Sequence, residues 1–390
     1  MTTRKTSQPP QRLRSDHDLH RCPHPAIRSA KLCESGRYRV PKTARYGGVR
    51  RARVSSQAWK RATRTQFVQD LDERDLGVRT KRVVEMVARR IESARADLDI
   101  EASTALATAA VEAAGLKLEK SRRADREETE FLVLVSWQQA ATLAQLALDA
   151  LGETDDDVEQ AIKAVTKGKR AAKQALGQGS SIDLALFGRM VANDTDLNVD
   201  ASCQVAHAIS VHAADTEYDY FTAVDDLKER EGEQEEAADA GAGMIGTVEF
   251  TSATLYRYAS INLRDLSENL GDQLMARRAV EAFISAFVRS MPTGKVNTFA
   301  NHTLPEAVVV SVRDDQPVSY VGAFETPVTP GQHGGYVHEA AEALRNWARS
   351  ITDSYGMGPA RSWAVGVGPV AEYLSTAWGN RQTSPTFPRQ

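Results

Sequence analysis

With 390 residues, 42% of them hydrophobic, and no apolar run long enough to cross a bilayer or to serve as an export signal, the chain reads as a cytoplasmic protein whose core fills two or three lobes. Its net charge of -3 hides a split: Met1–Arg64 carries 17 Lys and Arg against 3 Asp and Glu, and the remainder 32 against 49. A basic segment on an acidic body points to binding of a nucleic acid or another acidic partner through the basic part, and disfavours a protein that coats nucleic acid over its whole surface.

Taken in chain order, residues 1–41 come first and stand apart from the rest as an anomalous segment. His17, His20, His24, Cys22 and Cys33 cluster there without an accepted ligand spacing, and the three cysteines, Cys203 included, form no CxxC pair, so neither a metal site nor a disulfide framework is expected. No cofactor is expected either. Lys42–Arg64, KTARYGGVRRARVSSQAWKRATR, then packs eight Lys and Arg around a Gly-Gly turn, and no Asp or Glu occurs between Ser35 and Phe67. Sequence neighbours therefore leave Lys42, Arg45, Arg50, Arg51, Arg53, Lys60, Arg61 and Arg64 without neutralising charge, and backbone phosphates are their natural counter-ions. Val49–Val54 alternates partially, as a strand with Arg51 and Arg53 on one face. Ser55 and Ser56 are N-cap candidates for a helix opening at Gln57, which sets cations near the positive end of a helix dipole.

From Gln57 to about Leu176 the sequence is rich in helix formers, with apolar spacing such as Val83, Val84, Val87, Ile91 and Leu132, Val135, Leu143, Leu146, broken at Gly77, Gly115, Gly152 and Gly168. Beyond Gly179 the period changes. Val205–Val211, Gly246–Tyr258 and Ala307–Arg313 read as strands, and about 274–289 and 337–350 as helices, which makes the second half α+β. Asp225–Gly246 has too few apolar residues to pack and reads as an excursion from the sheet.

Four motifs then leave the generic: KTARYGGVRRARVSSQAWKRATR, SIDLALFGRM at Ser181–Met190, AHAISVH followed by DYFTAVDDL at Asp219–Leu227, and GTVEFTSATLYRYASINL at Gly246–Leu263. In this order and spacing the chain resembles CasC (Cse-type), the guide-binding backbone subunit of type I-E CRISPR Cascade complexes. The resemblance implies a ferredoxin-like (RRM-related) palm, a large helical fingers insertion and an extended thumb hairpin, with 1–56 as the first palm segment, 57–180 as fingers, 181–213 as palm, 214–246 as thumb and 247–390 as palm and C-terminal region. It implies several copies stacked along one CRISPR RNA guide, the large, small, guide-processing and 5′-end-binding Cascade subunits as further partners, and target DNA met by guide pairing. Carried over by position, Lys42, Lys60, Arg61 and Arg64 lie in or near a guide-backbone groove with Ser55, Ser56 and Gln57 beside them. Arg189 joins the RNA-binding set, Met190 and Ile245 match apolar wedges at a displaced nucleotide, and Tyr220 and Phe221 match an aromatic pair at the thumb base.

One region departs from the resemblance. The family opens with a palm strand and an Asn-Arg-Asp-Asp loop, and Pro9–Pro41 reads as neither. The loop is expected near Glu34–Arg39, ESGRYR, and among the strings that encode ESGRYR, GAATCGGGACGATACCGGG encodes Asn-Arg-Asp-Asp-Thr-Gly from its second base. A frame-shifted reading of the gene before Lys42 accounts for this, leaves Arg37, Arg39 and the His and Cys cluster without an evolved role, and is checked by resequencing the gene's start. Two other function classes compete with the scaffold. One is a metal-dependent endoribonuclease using Asp225 and Asp226, which is disfavoured because adjacent strand residues point to opposite faces and neither His207 nor His212 has an evident acid-base partner. The other is a general single-strand RNA-binding protein. The acidic stretch Glu229–Asp239 reads as a solvated tip.

Overall fold

The computed structural model describes residues 22–32, 41–121, 124, 126–191, 194–223, 244–332 and 334–378, of which 22–32, 222–223, 244–245 and 375–377 are described as backbone only. The first strands are β1 (Cys22–Leu32), β2 (Thr43–Tyr46) and β3 (Val49–Val54). Gly47 and Gly48 join β2 to β3 with φ of 60° and 80°, the left-handed pair that a two-residue hairpin turn needs. A side chain at Gly47 is excluded twice over, because its Cβ would fall 1.6 Å from the Glu325 carbonyl oxygen. Helix α1 (Ser56–Asp70) follows directly, capped by the Ser55 hydroxyl, which accepts from the Ala58 N–H at 3.3 Å.

A helical lobe comes next: β4 (Gly77–Thr80), α2 (Val83–Ala94), α3 (Ile100–Ala113), β5 (Leu118–Lys120), β6 (Glu127–Thr129), β7 (Val133–Ser136), α4 (Trp137–Glu153), α5 (Val158–Lys167) and α6 (Lys169–Gly177). Val83, Val87, Ile91, Leu106, Val135, Leu143 and Leu151 close its own core, each buried apolar side chain contributing roughly 1.5–3 kcal/mol. Two expectations are corrected here. Leu132 and Val135 do not continue a helix: the β-branched run Val133–Ser136 pairs with β4, and the helix starts only after Ser136 closes a capping box with Gln139. Nor does α1 pack within the helical lobe, since Trp59 and Phe67 turn it onto the large sheet.

The remaining elements are α7 (Ile182–Phe187), β8 (Cys203–Val205), β9 (Ala208–Ser210), β10 (Glu217–Ala223), β11 (Met244–Ile261), α8 (Leu263–Leu270), α9 (Gln273–Arg289), α10 (Val296–Phe299), β12 (Ala307–Val312), α11 (Val337–Tyr355), β13 (Arg361–Gly366) and α12 (Val370–Trp378). Nine strands form one antiparallel sheet in the order β13-β12-β1-β11-β9-β3-β2, with β8 and β10 also on β11. The fold is thus α+β. Where one strand is expected at Val205–Val211 there are two, because the chain steps out at His207 between them.

Strand β11 is the spine. Its residues alternate faces: Leu255, Ala259 and Ile261 meet the layer that holds α1 and α9, while Tyr256 and Tyr258 meet α11 and α12. On the first face the Arg257 guanidinium lies 3.5 Å from the Trp59 ring centroid and 3.8 Å from that of Phe287, fastening both helices to the sheet. Thr251–Ile261 pairs with β1 on one side and, over parts of its length, with β8 and β9 on the other, whereas Met244–Phe250 pairs with β10, so the two strands leave the sheet as a ribbon. A strand does occupy part of Pro9–Pro41, against expectation: β1 fills the slot between β11 and β12. Its Pro23 and Pro25 are two residues apart, so both imide nitrogens face the same side. The loop expected at Glu34–Arg39, the side chains of the His and Cys cluster, Asp225, Asp226 and Glu229–Asp239 lie outside the described residues. Among the described residues no helix is long and apolar enough to cross a membrane.

Candidate nucleic-acid interface

A cleft of about 1100 Å³ runs along the length of α1. One wall is Lys42, Ser55, Gln57, Ala58, Arg61, Thr65 and Gln69; the other is the Ser290–Leu304 segment between α9 and β12, with Arg289 at one end. The i, i+4, i+8, i+12 spacing of Gln57, Arg61, Thr65 and Gln69 follows from the helical repeat, which lines a polar row along the cleft. Beside it, the β2–β3 hairpin sets Arg45 directly opposite Arg50. Like charges in that register repel, and among the described residues neither Arg45, Arg50, Lys60 nor Arg61 has a carboxylate within ion-pair distance. The Arg289 guanidinium at the cleft's end does: it holds Asp70 at 2.7 Å.

The mouth of α1 is built with care for its donors. The Ser55 hydroxyl takes the Ala58 N–H, and the Ser56 N–H donates to His207 Nδ1 at 3.2 Å. That bond makes Nδ1 the acceptor of His207, so its neutral ring carries the proton on Nε2. The Arg53 guanidinium lies 3.3 Å from the same Nδ1 and donates to the Thr43 carbonyl at 3.3 Å. Lys60, on the next face, stands over the Phe187 ring at 5.6 Å.

Three of the expected contacts are framework. Arg51 is completely buried and donates to the carbonyls of Tyr46 (3.1 Å), Ser210 (3.0 Å), Phe324 (2.7 Å) and Glu325 (3.3 Å); burial pushes its pKa below the ordinary arginine value. Arg189 is also buried, with its guanidinium on the carbonyls of Leu197 and Leu176 and on the Gln139 side chain, and burial lowers its pKa to about 10. A strand residue next to β9 and a residue at the root of the helical lobe each face protein, which charge counting along the sequence does not register. Arg64 is half-buried and closes on Asp183 at 2.7 Å; the same carboxylate accepts from the Gly77 N–H and the Ser181 hydroxyl, so this cation ties α1 to β4 and α7.

The apolar candidates divide as well. Met190 projects into solvent with 82% of its surface exposed, one residue after the buried Arg189. Tyr220 is 75% exposed and Phe221 39%, but as consecutive strand residues they point to opposite faces of the ribbon and do not form one platform. Phe221 sits across from Gly246 and shares a face with Phe250, whose ring packs at a tilt against Phe299 of α10 with centroids 5.2 Å apart; that face looks toward the segment walling the cleft. Lys295 reinforces the link by donating to the Glu249 carbonyl at 2.9 Å. Ile245 lies on the ribbon backbone, and its side chain is outside the described residues. The Ser290–Leu304 wall was not anticipated from sequence. Its signal is MPTGKVNTFANHTL, a run of turn formers too long for a simple αβ connection.

Among solved structures, the fold is similar to a chain of a "CRISPR RNA-guided surveillance complex, pre-nicking", with a TM-score of 0.74 and 31% identity, covering 90% of this chain and 93% of that one. It is similar also to a chain of a "CRISPR RNA-guided surveillance complex" at a TM-score of 0.67 and 27% identity, covering 93% and 96%. A comparison with curated proteins found no match. The class defined by fold and cleft is thus that of surveillance-complex subunits. The profile of the CT1975-like protein family matches residues 38–384, and the chain belongs to that family.

Proposed function

We propose that this protein is the CRISPR RNA-binding backbone subunit of a type I-E Cascade complex, assembling as several copies along one guide in antiviral defence. The observation that carries the reading is the cleft along α1: Lys42, Gln57 and Arg61 line it, the opposed Arg45 and Arg50 stand beside it, and ion-pairing carboxylates are missing from these arginines among the described residues. A polyanion relieves that repulsion, and phosphates set at the spacing of a nucleic-acid backbone suit a row of exposed guanidinium and amide groups. The similarity to chains of RNA-guided surveillance complexes supports a guide RNA as that polyanion. In this reading the β12-β1-β11-β9 strands, with α1 and α9 as crossovers on one face, are a ferredoxin-like palm in the order 4-1-3-2. The β10–β11 ribbon is the base of a thumb, and Met190 with Ile245 displaces a nucleotide, leaving the bases between free for target pairing.

The protein acts as a scaffold and not as a nuclease. The test is to express it with its neighbouring operon products and a CRISPR array, purify it by a tag and sequence the RNA that co-purifies. Uniform repeat-spacer-repeat RNA in a multi-subunit particle is expected. Mixed cellular RNA instead supports a general single-strand binder, and RNA cut in a manner dependent on Asp225 or Asp226 supports the nuclease.

A further inference from the structure

The Ser290–Leu304 wall holds a polar group in a state that protein interiors avoid. Asn301 is 4% exposed and lines the cleft, yet neither its Nδ2 nor its Oδ1 has a hydrogen-bond partner among the described residues. Two residues on, the buried Thr303 hydroxyl oxygen, in the same wall, is unpartnered too. Buried amides and hydroxyls are nearly always satisfied, because leaving one unmade forfeits its hydration without return. The backbone around Asn301 is also held in a demanding shape: Lys295 and Ala300, at the two ends of α10, adopt φ of 52° and 44° without being glycine. Lys295 and Phe299 anchor that shape to β11.

We infer that the Asn301 carboxamide, with the Thr303 hydroxyl, is a subsite for a ribose 2′-hydroxyl of the bound strand and makes the cleft prefer RNA over DNA. The inference rests on the proposed guide-binding function. A phosphate can only accept, and so satisfies Nδ2 but not Oδ1; a sugar hydroxyl both donates and accepts, and meets both ends of the amide at once. A base edge offers donors and acceptors as well, but the proposed function leaves the bases free for pairing and so turns the sugars and phosphates toward the cleft. Arg61 and Gln57 across the cleft supply the phosphate contacts, which do not tell the two nucleic acids apart.

The test uses the purified full chain, fluorescence anisotropy with a single-stranded RNA oligonucleotide and the DNA of the same sequence, and thermal unfolding of each variant. Asn301→Ala is expected to weaken RNA binding about tenfold, a loss in the range of a lost hydrogen-bonding pair, while leaving DNA binding unchanged. Its melting temperature is expected to equal or exceed that of the parent, because the change removes an unmet amide. Thr303→Val, close in shape, is expected to show the same selectivity with a smaller loss. An unchanged RNA-to-DNA ratio in both variants, with Arg61→Ala weakening both ligands, overturns the subsite and leaves the groove assignment standing. A melting temperature several degrees lower for Asn301→Ala means that the amide has a protein partner, which also overturns it. If the unaltered chain binds no RNA at all, the guide-binding function fails and the subsite with it.

Discussion

Arg51 separates a scaffold reading of this basic strand from a binding one. Replacing it by alanine removes a donor from four carbonyls on three separate segments and leaves a hole beneath the β2–β3 hairpin. Hydrogen bonds to a charged group contribute about 1.5–3 kcal/mol each, and the desolvation of the guanidinium offsets part of that sum, so we take a net loss of about 4 kcal/mol. For a chain of 390 residues that corresponds to a melting temperature lower by roughly 5 °C. Circular dichroism melts read it directly, and Arg51→Lys recovers little, because one ammonium cannot reach carbonyls arranged around a fork. RNA affinity, measured well below the transition, stays at the parent value. An Arg51→Ala protein that melts as the parent does but binds RNA weakly refutes the reasoning.

Arg61→Ala is expected to keep the parent melting temperature and to lower the slope of log affinity against log salt by about one, as seen in a salt titration. Gly246→Val sets a Cβ 2.4 Å from the Phe221 ring; the ring is displaced, the ribbon loosens by about 1 kcal/mol, and hydrogen exchange speeds up at Glu217–Ala223 while the sheet core is unaffected. His212, stacked on Tyr336 at 3.8 Å, donates from Nδ1 to the Ala213 carbonyl and accepts at Nε2 from the Thr254 N–H, and burial holds its pKa below the ordinary value. The unfolded chain therefore takes the proton first: this contribution to stability is present above about pH 6.5 and is lost as pH falls toward the depressed folded pKa, by up to about 1.4 kcal/mol per pH unit. Urea midpoints against pH test this, and His212→Gln flattens the curve.

Local signals were legible because they act locally. The Gly-Gly hairpin, the Ser55 cap, the α2 and α9 periodicities and the β11 strand each follow from residues within a few positions of one another. Misplaced elements depend on distant partners. Nothing around Trp59 says that Arg257, 198 positions along the chain, will sit on its ring, so α1 was assigned to the helical lobe when its buried face belongs to the sheet. In the basic run, charge located the cleft but could not rank its arginines. Arg61 and Arg51 look alike in sequence; only the three-dimensional approach of Ser210 and Phe324 buries one and leaves the other open. Asn301 carries no charge and no motif chemistry, and it is conspicuous only once its burial is known.

The extent of β11 has a mechanical consequence. At ~3.3 Å per residue its 18 residues span about 60 Å, and the part paired only with β10 carries roughly 20 Å of that beyond the sheet. A lever of this length moves its tip far for a small rotation at the root. The root is fastened at Phe250 to Phe299 and at Glu249 to Lys295, both on the segment that bounds the cleft. The wall of the cleft and the root of the ribbon are therefore tied together by these two contacts, so a displacement of the Ser290–Leu304 segment is passed to the base of the lever.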